Sequence, residues 1–392
     1  MKVPDYFKFF NKTRIVSGSK ALENIPYELQ SMDAVKPLVI TDRATVNDGV
    51  IKTLISAYGD SGCVIGGVFD GVTTYASTKT AIDAAELYRA RGCDSIIAAG
   101  GEAVASVARG LNLLVSYKTD DLLQFDTLPD TINLRPFIVI PTSDSTGLET
   151  SSMCEIDGRK YKSGELMPDI VIIDPRMLKK REKSQTVITA LSAMARSIEA
   201  CSESDANPLN DSFAFAAIQL ISENISPAVK NIRSSKNRLA LANGIAMSGI
   251  VFSNAPEGGC SELAVEVAKA TGHSRLLCST ILLPCMLDYK LNNMKEGVRG
   301  ELLLPLGGID SYCATPESER GEMAVQSLKK LYAGMRRYIP LDFKSLNIPE
   351  YILDNAVSAV EAGFAKRYGK DACGRILESA YAGDLSTGGS EK

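Results

Sequence analysis

Residues that could do chemistry are few in this sequence, and histidine is the scarcest of them. The 392 residues include one histidine, His273. Because histidine is the commonest metal ligand and general acid or base, any mechanism that needs several histidines is excluded. The nine cysteines are scattered and form no C-x-x-C pair. We therefore expect reduced thiols in a cytoplasmic protein, without a disulfide framework or a zinc cluster.

A glycine turn offers a second kind of chemistry, the binding of a phosphate. Gly100 and Gly101 follow an apolar run and precede a stretch with helical spacing, and such a turn lets a pyrophosphate approach a helix N-terminus. A purely structural turn would have the same sequence. The next residue, Glu102, opposes a phosphate, since a carboxylate ~4 Å from a phosphate oxygen costs about 4 kcal/mol at an effective dielectric of 20. Glu102 could also cap the helix itself, by accepting hydrogen bonds from the amides that a phosphate would otherwise contact. We therefore expect a carboxylate of the protein to occupy this anion site.

Alternating apolar runs and amphipathic stretches must position these residues. Apolar runs predict strands at residues 35–41, 64–69, 94–99, 137–141 and 170–175, and residues 81–91 and 103–116 have helical spacing. This alternation predicts a parallel sheet with helices on both faces, in which ligands bind at the carboxyl ends of the strands. From Ser184 onward the sequence predicts helices, at residues 186–200, 211–225, 236–252, 261–270, 323–337 and 351–368.

The length of the chain favours two domains. We predict an α/β dinucleotide-binding-type domain at residues 1–180 and a helical domain at 181–392, with the charged stretch 176–183 at the boundary. The alternative is that this stretch is a solvated helix face inside one domain. A net charge of −4 gives no nucleic-acid-binding face. The absence of a long apolar window and of a signal-peptide pattern predicts no membrane partner.

Several segments together resemble one family. Residues 140–150 read I-P-T-S-D-S-T-G-L-E-T, which resembles the pattern I-P-T-T-x-G-T-G-S-E-x-T of the iron-dependent (group III) alcohol dehydrogenases. Further segments fit the family in order along the chain, at residues 41–42, 69–72, 158–161, 167–169, 173–175, 199–200, 206–208 and 281–284. The resemblance implies the dehydroquinate synthase-like fold, which has an α/β nucleotide-binding domain, an all-helical metal-binding domain and an active site in the cleft between them. It also implies descent from NAD(P)-dependent oxidoreductases that pair as dimers.

The metal-binding residues of that family are absent. In the family, a D-x-x-x-H helix supplies two ligands, an H-x-x-x-H helix supplies a third ligand and a catalytic histidine, and a P-H-G segment supplies the fourth. The matching ligand positions here are Ser192, Arg196, Ser261 and Arg275, and the catalytic position is Val265. Because two ligand positions are cations, we expect no catalytic iron or zinc.

Other residues offer a weak replacement for these ligands. Glu262 and Glu266 share a helix face, but they are one residue out of step with the former ligand positions, a rotation of roughly 100°. Cys260, Cys278 and Cys285 could be soft ligands, although core packing also accounts for buried cysteines.

The cofactor half of the pattern persists in part. The residues that remain are Asp42, Gly100, Gly101, Thr142, Ser143, Thr146 and Gly147. They could fit NAD or NADP, but Glu102 and Asp144 both oppose its phosphates. No cofactor is therefore certain from the sequence.

Together the changes invert the charge of the former site, since the phosphate side gains carboxylates and the metal side gains arginines. Three interpretations remain open. Arg196 and Arg275 could pair with Glu102 and Asp144 across the cleft. The arginines, with Ser192 and Ser261, could instead bind a small anion, or the changes could be independent drift at side chains that face water.

The sequence favours a pseudoenzyme that acts through a partner, either as a homodimer or as a heteromer with an active paralogue. One alternative is an NAD(P)-dependent alcohol or aldehyde oxidoreductase without the usual metal, in which an arginine acts as the electrophile. Another is a small-anion binding or sensing protein that uses Arg196 and Arg275.

Overall fold

A computed structural model describes residues 3–59, 61–125, 128, 133–142, 146–178, 182–202, 206–360 and 362–383. These residues form two compact units. The sheet unit is the described part of Phe10–Glu182 together with Asn231–Ser253, and the helical unit is the described part of Met1–Phe9, Lys183–Lys230 and Asn254–Lys392. Within the described ranges, no helix is long and apolar enough to cross a membrane.

The sheet unit is built on one parallel sheet. Its strands are β1 (Arg14–Ser17), β2 (Pro37–Asp42), β3 (Gly67–Val72), β4 (Ser95–Gly100), β5 (Phe137–Pro141) and, after a separate hairpin of β6 (Met153–Ile156) and β7 (Arg159–Lys162), β8 (Ile170–Ile173). The order in the sheet is β1-β8-β5-β4-β2-β3, with every neighbouring pair parallel. The inner strands are apolar because layers on both faces exclude water from a parallel sheet.

Helices cover both faces of this sheet, as the sequence predicted. They are α1 (Ile25–Ser31), α2 (Arg43–Asn47), α3 (Val50–Ala57), α4 (Thr78–Arg91) and α5 (Glu102–Tyr117). Successive side chains of a strand point to opposite faces. In β2, Val39 accordingly joins the core that includes residues of α1 and α3, whereas Leu38 and Ile40 join the core that includes residues of α4 and α5.

The rest of the described chain is helical, which confirms the predicted fold class. The longer helices are α6 (Lys183–Ser202), α7 (Pro208–Lys230), α8 (Ser235–Ser253), α9 (Gly259–Thr271), α10 (Arg275–Asn293), α11 (Leu303–Ala314), α12 (Arg320–Met335), α13 (Glu350–Ala359), α14 (Ala362–Tyr368) and α15 (Ala372–Ala382). All of these except α8 belong to the helical unit. The predicted helix at 351–368 is two helices, α13 and α14.

The helix α8 belongs to the sheet unit because it packs tightly on the loop after β5. The hydroxyl of Thr150 donates to the carbonyl oxygen of Ala246 at 2.6 Å. At Gly249 a Cβ atom would lie 1.7 Å from the carbonyl oxygen of Gly147, so glycine is required there. The compact units are thus interleaved along the chain, and the domain bounds 1–180 and 181–392 stay a prediction.

Asp174, directly after β8, fixes the end of the sheet by hydrogen bonds. Its carboxylate accepts from the backbone N–H groups of Leu22 (3.3 Å) and Arg176 (2.9 Å), and from Nε and Nη2 of Arg176 (3.0 and 2.7 Å). Burial alone would raise the pKa of Asp174, but these hydrogen bonds hold the pKa below its ordinary value.

Replacing Asp174 by asparagine is expected to lower the free energy of unfolding by about 1–3 kcal/mol at pH 7. Because folding lowers the pKa, the stabilisation is complete above the unfolded-state pKa of about 4 and is lost as the pH falls through the folded-state pKa. The unfolding free energies of the wild type and the variant should therefore converge in acid. Urea unfolding at several pH values measures this, and a gap between the two proteins that does not change with pH would contradict it.

Candidate functional site

The glycine turn lies at the carboxyl end of a central strand. β4 ends at Gly100, and α5 begins after its N-cap, Gly101, which has no side chain with which to cap the helix. β2 and β5 flank β4, so Asp42 at the end of β2 and Thr142 after β5 lie along the same edge of the sheet. The predicted cofactor positions therefore follow the strand ends at which ligands bind in such sheets.

Glu102, the first residue of α5, contacts the loop after β5. Its Oε2 accepts a hydrogen bond from the hydroxyl of Thr146 at 3.4 Å. Among the described residues no backbone amide of α5 donates to this carboxylate, so the predicted self-capping is not observed. A negative charge nevertheless remains next to the glycine turn, where it opposes a phosphate.

The other predicted cofactor residues have local structural roles or are buried. Both carboxylate oxygens of Asp42 cap α2, since Oδ1 accepts from the amide of Thr45 at 2.8 Å and Oδ2 from its hydroxyl at 3.0 Å. Thr142 is 3% exposed. Ser143 and Asp144 lie outside the described residues. Among the predicted cofactor residues, Thr146 thus lies near Gly100 and Gly101, because it donates to Glu102, the residue that follows them.

The four former ligand positions lie on three helices of the helical unit. Ser192 and Arg196 are one turn apart on α6, Ser261 is on α9, and Arg275 is the first residue of α10. α6 packs against both α9 and α10. The structure therefore places these residues on helices that contact one another.

The two serines use their hydroxyls in hydrogen bonds inside the unit. The hydroxyls of Ser192 and Ser279 lie 3.1 Å apart. Ser261 donates from its hydroxyl to Oε2 of Glu199 at 2.6 Å. Glu199 also accepts from the backbone amides of Cys260 (2.6 Å) and Ser261 (3.1 Å) through Oε1, so it caps the first turn of α9.

Side-chain hydroxyls join α6 and α10 at two places. Ser279 of α10 meets Ser192 of α6, and the hydroxyl of the next residue, Thr280, donates to the carbonyl oxygen of Ile188 at 3.4 Å. Arg196 lies one helical turn after Ser192 on α6, and Arg275 lies one turn before Ser279 on α10.

These residues do not fit a divalent metal. Two positions have guanidinium groups, which repel a cation, and the other two have hydroxyls that already form hydrogen bonds. Within the described ranges, no group of three or more histidine, cysteine, aspartate or glutamate side chains could hold a metal ion.

The replacement ligands considered from the sequence are also engaged or protonated. Glu262 forms an ion pair with Arg367, and Glu266 pairs with Lys269 at 2.7 Å. Burial raises the pKa of the Cys278 thiol to about 12 and that of Cys260 well above its ordinary value. Buried thiols of this kind pack as small apolar groups.

The partners of the two serines are Glu199 and Ser279. The sequence analysis placed Glu199 only in a segment that fits the family, without a role, and it missed Ser279. Glu199 is 5% exposed, and a buried carboxylate of this kind indicates a specific hydrogen-bonding role. Ser279 shares a helix face with Arg275. Neither signal shows which helix each residue faces.

Replacing Glu199 by glutamine is expected to destabilise the helical unit by about 2 kcal/mol, because an amide NH2 group cannot accept from an N–H or O–H donor. Hydrogen exchange should increase most in the first turn of α9. Glu266→Gln is the matched control on the same helix bundle, and its surface pair should contribute less than about 1 kcal/mol. Equal unfolding free energies for the two variants would show that Glu199 does not hold α9.

Two family models match the chain. The model described as "Iron-containing alcohol dehydrogenase" matches residues 12–175, and the model described as "Fe-containing alcohol dehydrogenase family, C-terminal" matches residues 186–373. The first match contains the glycine turn, and the second contains all four former ligand positions.

Curated relatives and solved structures agree with these matches. The chain is 22% identical over 360 residues to an NAD-dependent methanol dehydrogenase of Bacillus methanolicus, covering 90% of this chain and 93% of that protein. It is 26% identical over 346 residues to long-chain-alcohol dehydrogenase 1 of Geobacillus thermodenitrificans, covering 86% of each. A crystal structure of a 1,3-propanediol oxidoreductase has the same fold, with a TM-score of 0.84 and 22% identity over 96% of this chain and 100% of that one.

Proposed function

The chain belongs to the iron-containing alcohol dehydrogenase family, and we propose that within this family of oxidoreductases it is a pseudoenzyme that acts through a partner. The partner is a second copy of the chain or an active paralogue. The observation that carries the proposal is the state of the four former ligand positions, which hold two arginines and two hydrogen-bonded serines.

Loss of the metal removes the group that would polarise the oxygen of an alcohol or aldehyde, which is the chemistry a metal ion supplies at such a site. In addition, Val265 stands where the family has its catalytic histidine, and a valine cannot transfer a proton. These losses affect separate parts of the reaction, so restoring one residue would not restore turnover.

The predicted nucleotide-binding residues also support the proposal, although less strongly. Gly100 and Gly101 persist, but Glu102 puts a negative charge at the start of α5. Nicotinamide nucleotides should therefore bind weakly. We expect Glu102→Gly to tighten their binding, since it removes the opposing carboxylate.

Steady-state assays of small alcohols and aldehydes with NAD(H) and NADP(H) test the loss of catalysis. An active family member, such as a 1,3-propanediol dehydrogenase, is assayed in parallel with and without added iron or zinc. We expect turnover by the relative and none above background by this chain. Metal-dependent turnover by this chain would overturn the proposal.

The partner is tested separately. The chain is co-expressed with an iron-type alcohol dehydrogenase of the same genome, and native mass spectrometry determines the assemblies formed. A homodimer or a defined heteromer supports the proposal, whereas a monomer under all conditions contradicts it.

A further inference from the structure

A cavity of about 880 Å³ lies between α7, α11 and α12 of the helical unit, and we propose that it binds an aliphatic carboxylate, an alkyl chain with one carboxylate head. Pockets for small molecules have volumes of roughly 300–1,000 Å³. The inference goes beyond the function proposed above, because none of the four former ligand positions lines this cavity.

The cavity has an apolar wall that fits an alkyl chain. Leu304 and Leu306 of α11 and Met323 and Leu331 of α12 line it. Leu304 is 38% exposed, and the other three are half-buried. A chain that covers these side chains removes apolar surface from water, which favours the binding of an apolar body.

The backbone of α11 is interrupted where it lines the cavity. Gly308 has a φ of 84° and a ψ of 168° inside the helix, a conformation that only glycine adopts readily. Before the interruption, the carbonyl oxygen of Pro305 accepts from the hydroxyl of Ser222 on α7 at 2.8 Å. Among the described residues, no heavy atom lies within 4 Å of a Cβ placed on Gly308, so space is open at this point of the wall.

Two hydroxyl groups converge next to the interruption. A Cβ atom on Gly307 would lie 3.2 Å from Oγ of Ser311 on α11 and 3.2 Å from Oγ of Ser327 on α12. Within the described part of the helical unit, neither hydroxyl forms a hydrogen bond. Because both serines line the cavity, both hydroxyls can donate to a ligand oxygen next to Gly307.

The charge on α12 favours an anionic head at this place. Lys330 lies three residues after the second serine, so the two side chains share a helix face, and both line the cavity. Lys330 is exposed and forms no ion pair with a described residue. The other charges that line the cavity have partners, since Lys329 pairs with Asp288 at 2.6 Å and Glu223 of α7 accepts from Gln219 at 2.8 Å. The ammonium of Lys330 is therefore the group that complements a carboxylate.

These features assign the two ends of the ligand. The carboxylate accepts from Ser311 and Ser327 and pairs with Lys330, while the alkyl chain lies against Leu304 and Leu306. An alcohol with a chain of the same length can form the hydroxyl contacts but not the ion pair, and an alkylammonium is repelled by the lysine. The charge of the ligand thus distinguishes this site from non-specific apolar binding.

Calorimetric titration of the full-length protein with octanoate, octan-1-ol and octylammonium tests the inference. We expect octanoate to bind with a Kd of ~1 mM or tighter, the alcohol to bind more weakly, and the ammonium ion to bind at least about tenfold more weakly. Lack of octanoate binding up to ~10 mM, or equal affinity for octanoate and octylammonium, would overturn the inference.

Variants of α12 locate the site. Lys330→Gln should weaken octanoate binding about fivefold or more, and Lys330→Arg, which keeps the charge, should weaken it less. Arg336→Gln is the matched control, because Arg336 is an exposed cation directly after α12 that does not line the cavity, and it should leave the affinity unchanged. Octanoate should also slow hydrogen exchange in α11 and α12. Equal effects of Lys330→Gln and Arg336→Gln, or protection only outside α7, α11 and α12, would contradict the inference, since octanoate would then bind elsewhere.

Discussion

Gly249→Ala is expected to destabilise the sheet unit by about 3 kcal/mol or more. The added Cβ atom would lie 1.7 Å from the carbonyl oxygen of Gly147 and 2.3 Å from Oγ1 of Thr150. A backbone carbonyl cannot turn aside as a flexible side chain can, so α8 has to separate from the loop. That movement also breaks the 2.6 Å hydrogen bond from Thr150 to Ala246.

The sequence has no tryptophan, so circular dichroism follows unfolding and hydrogen exchange locates the change. The matched control is Gly334→Ala, because no atom lies within 4 Å of a Cβ at that position of α12. Alanine should raise stability there by up to ~1 kcal/mol through its helix propensity. If both alanine variants have wild-type stability, the close approach of α8 to the loop does not exist in solution.

Replacing Arg109 by methionine is also expected to have a large effect, lowering the free energy of unfolding by about 3–5 kcal/mol. Arg109 is 1% exposed on α5. Its Nε donates to the carbonyl oxygen of Leu166 at 3.0 Å, and its Nη2 donates to those of Leu148 (2.8 Å) and Ser151 (3.0 Å). Burial lowers the pKa of this guanidinium, and neighbouring groups such as Glu149 oppose that shift.

Methionine nearly matches arginine in length and removes a buried charge, which by itself favours folding. It also leaves the carbonyl groups of Leu166 and Ser151 without donors, at about 1–3 kcal/mol each, whereas that of Leu148 still accepts from the backbone amide of Ser151 at 3.2 Å. We expect this loss to dominate. Arg43→Met, at the exposed first residue of α2, is the control and should change stability by about 0.5 kcal/mol at most. Equal urea midpoints for the two variants would show that Arg109 does not hold the loop after β5.

The sheet was predictable because its strands are buried on both faces. β5 was predicted with its observed bounds, and β2, β4 and β8 within two residues, since a covered parallel strand is a continuous apolar run. β3 begins three residues later than predicted. β1 and the hairpin of β6 and β7 were missed, because these strands have four residues each and polar residues interrupt them.

The sequence predicted that the second half of the chain is helical, but it predicted the arrangement of these helices less well. α10 was missed because Pro284 lies inside it, and proline usually marks the end of a helix. The position of α8 in the sheet unit depends on Gly249, where the informative feature is the absence of a side chain. Such contacts depend on tertiary packing, which the local spacing of apolar residues does not reveal.

The positions assigned to the candidate site from the family pattern stay a prediction, and their hydrogen bonds could not be predicted from the sequence. The family pattern located Ser192, Arg196, Ser261 and Arg275. That Ser192 meets Ser279 and Ser261 meets Glu199 follows from the packing of three helices, which the sequence does not specify. The pairing predicted for Glu102 and Asp144 with the arginines stays a prediction, and Asp144 lies outside the described residues.

Elemental analysis tests the absence of a catalytic metal most directly. The protein is produced with added iron and zinc and purified without a chelator. Its matched control is the quadruple variant Ser192→Asp, Arg196→His, Ser261→His and Arg275→His, which restores the ligand types of the family. We predict that the folded variant retains iron or zinc and that the wild type contains far less than one equivalent of either. Stoichiometric iron or zinc in the wild type would contradict the pseudoenzyme assignment.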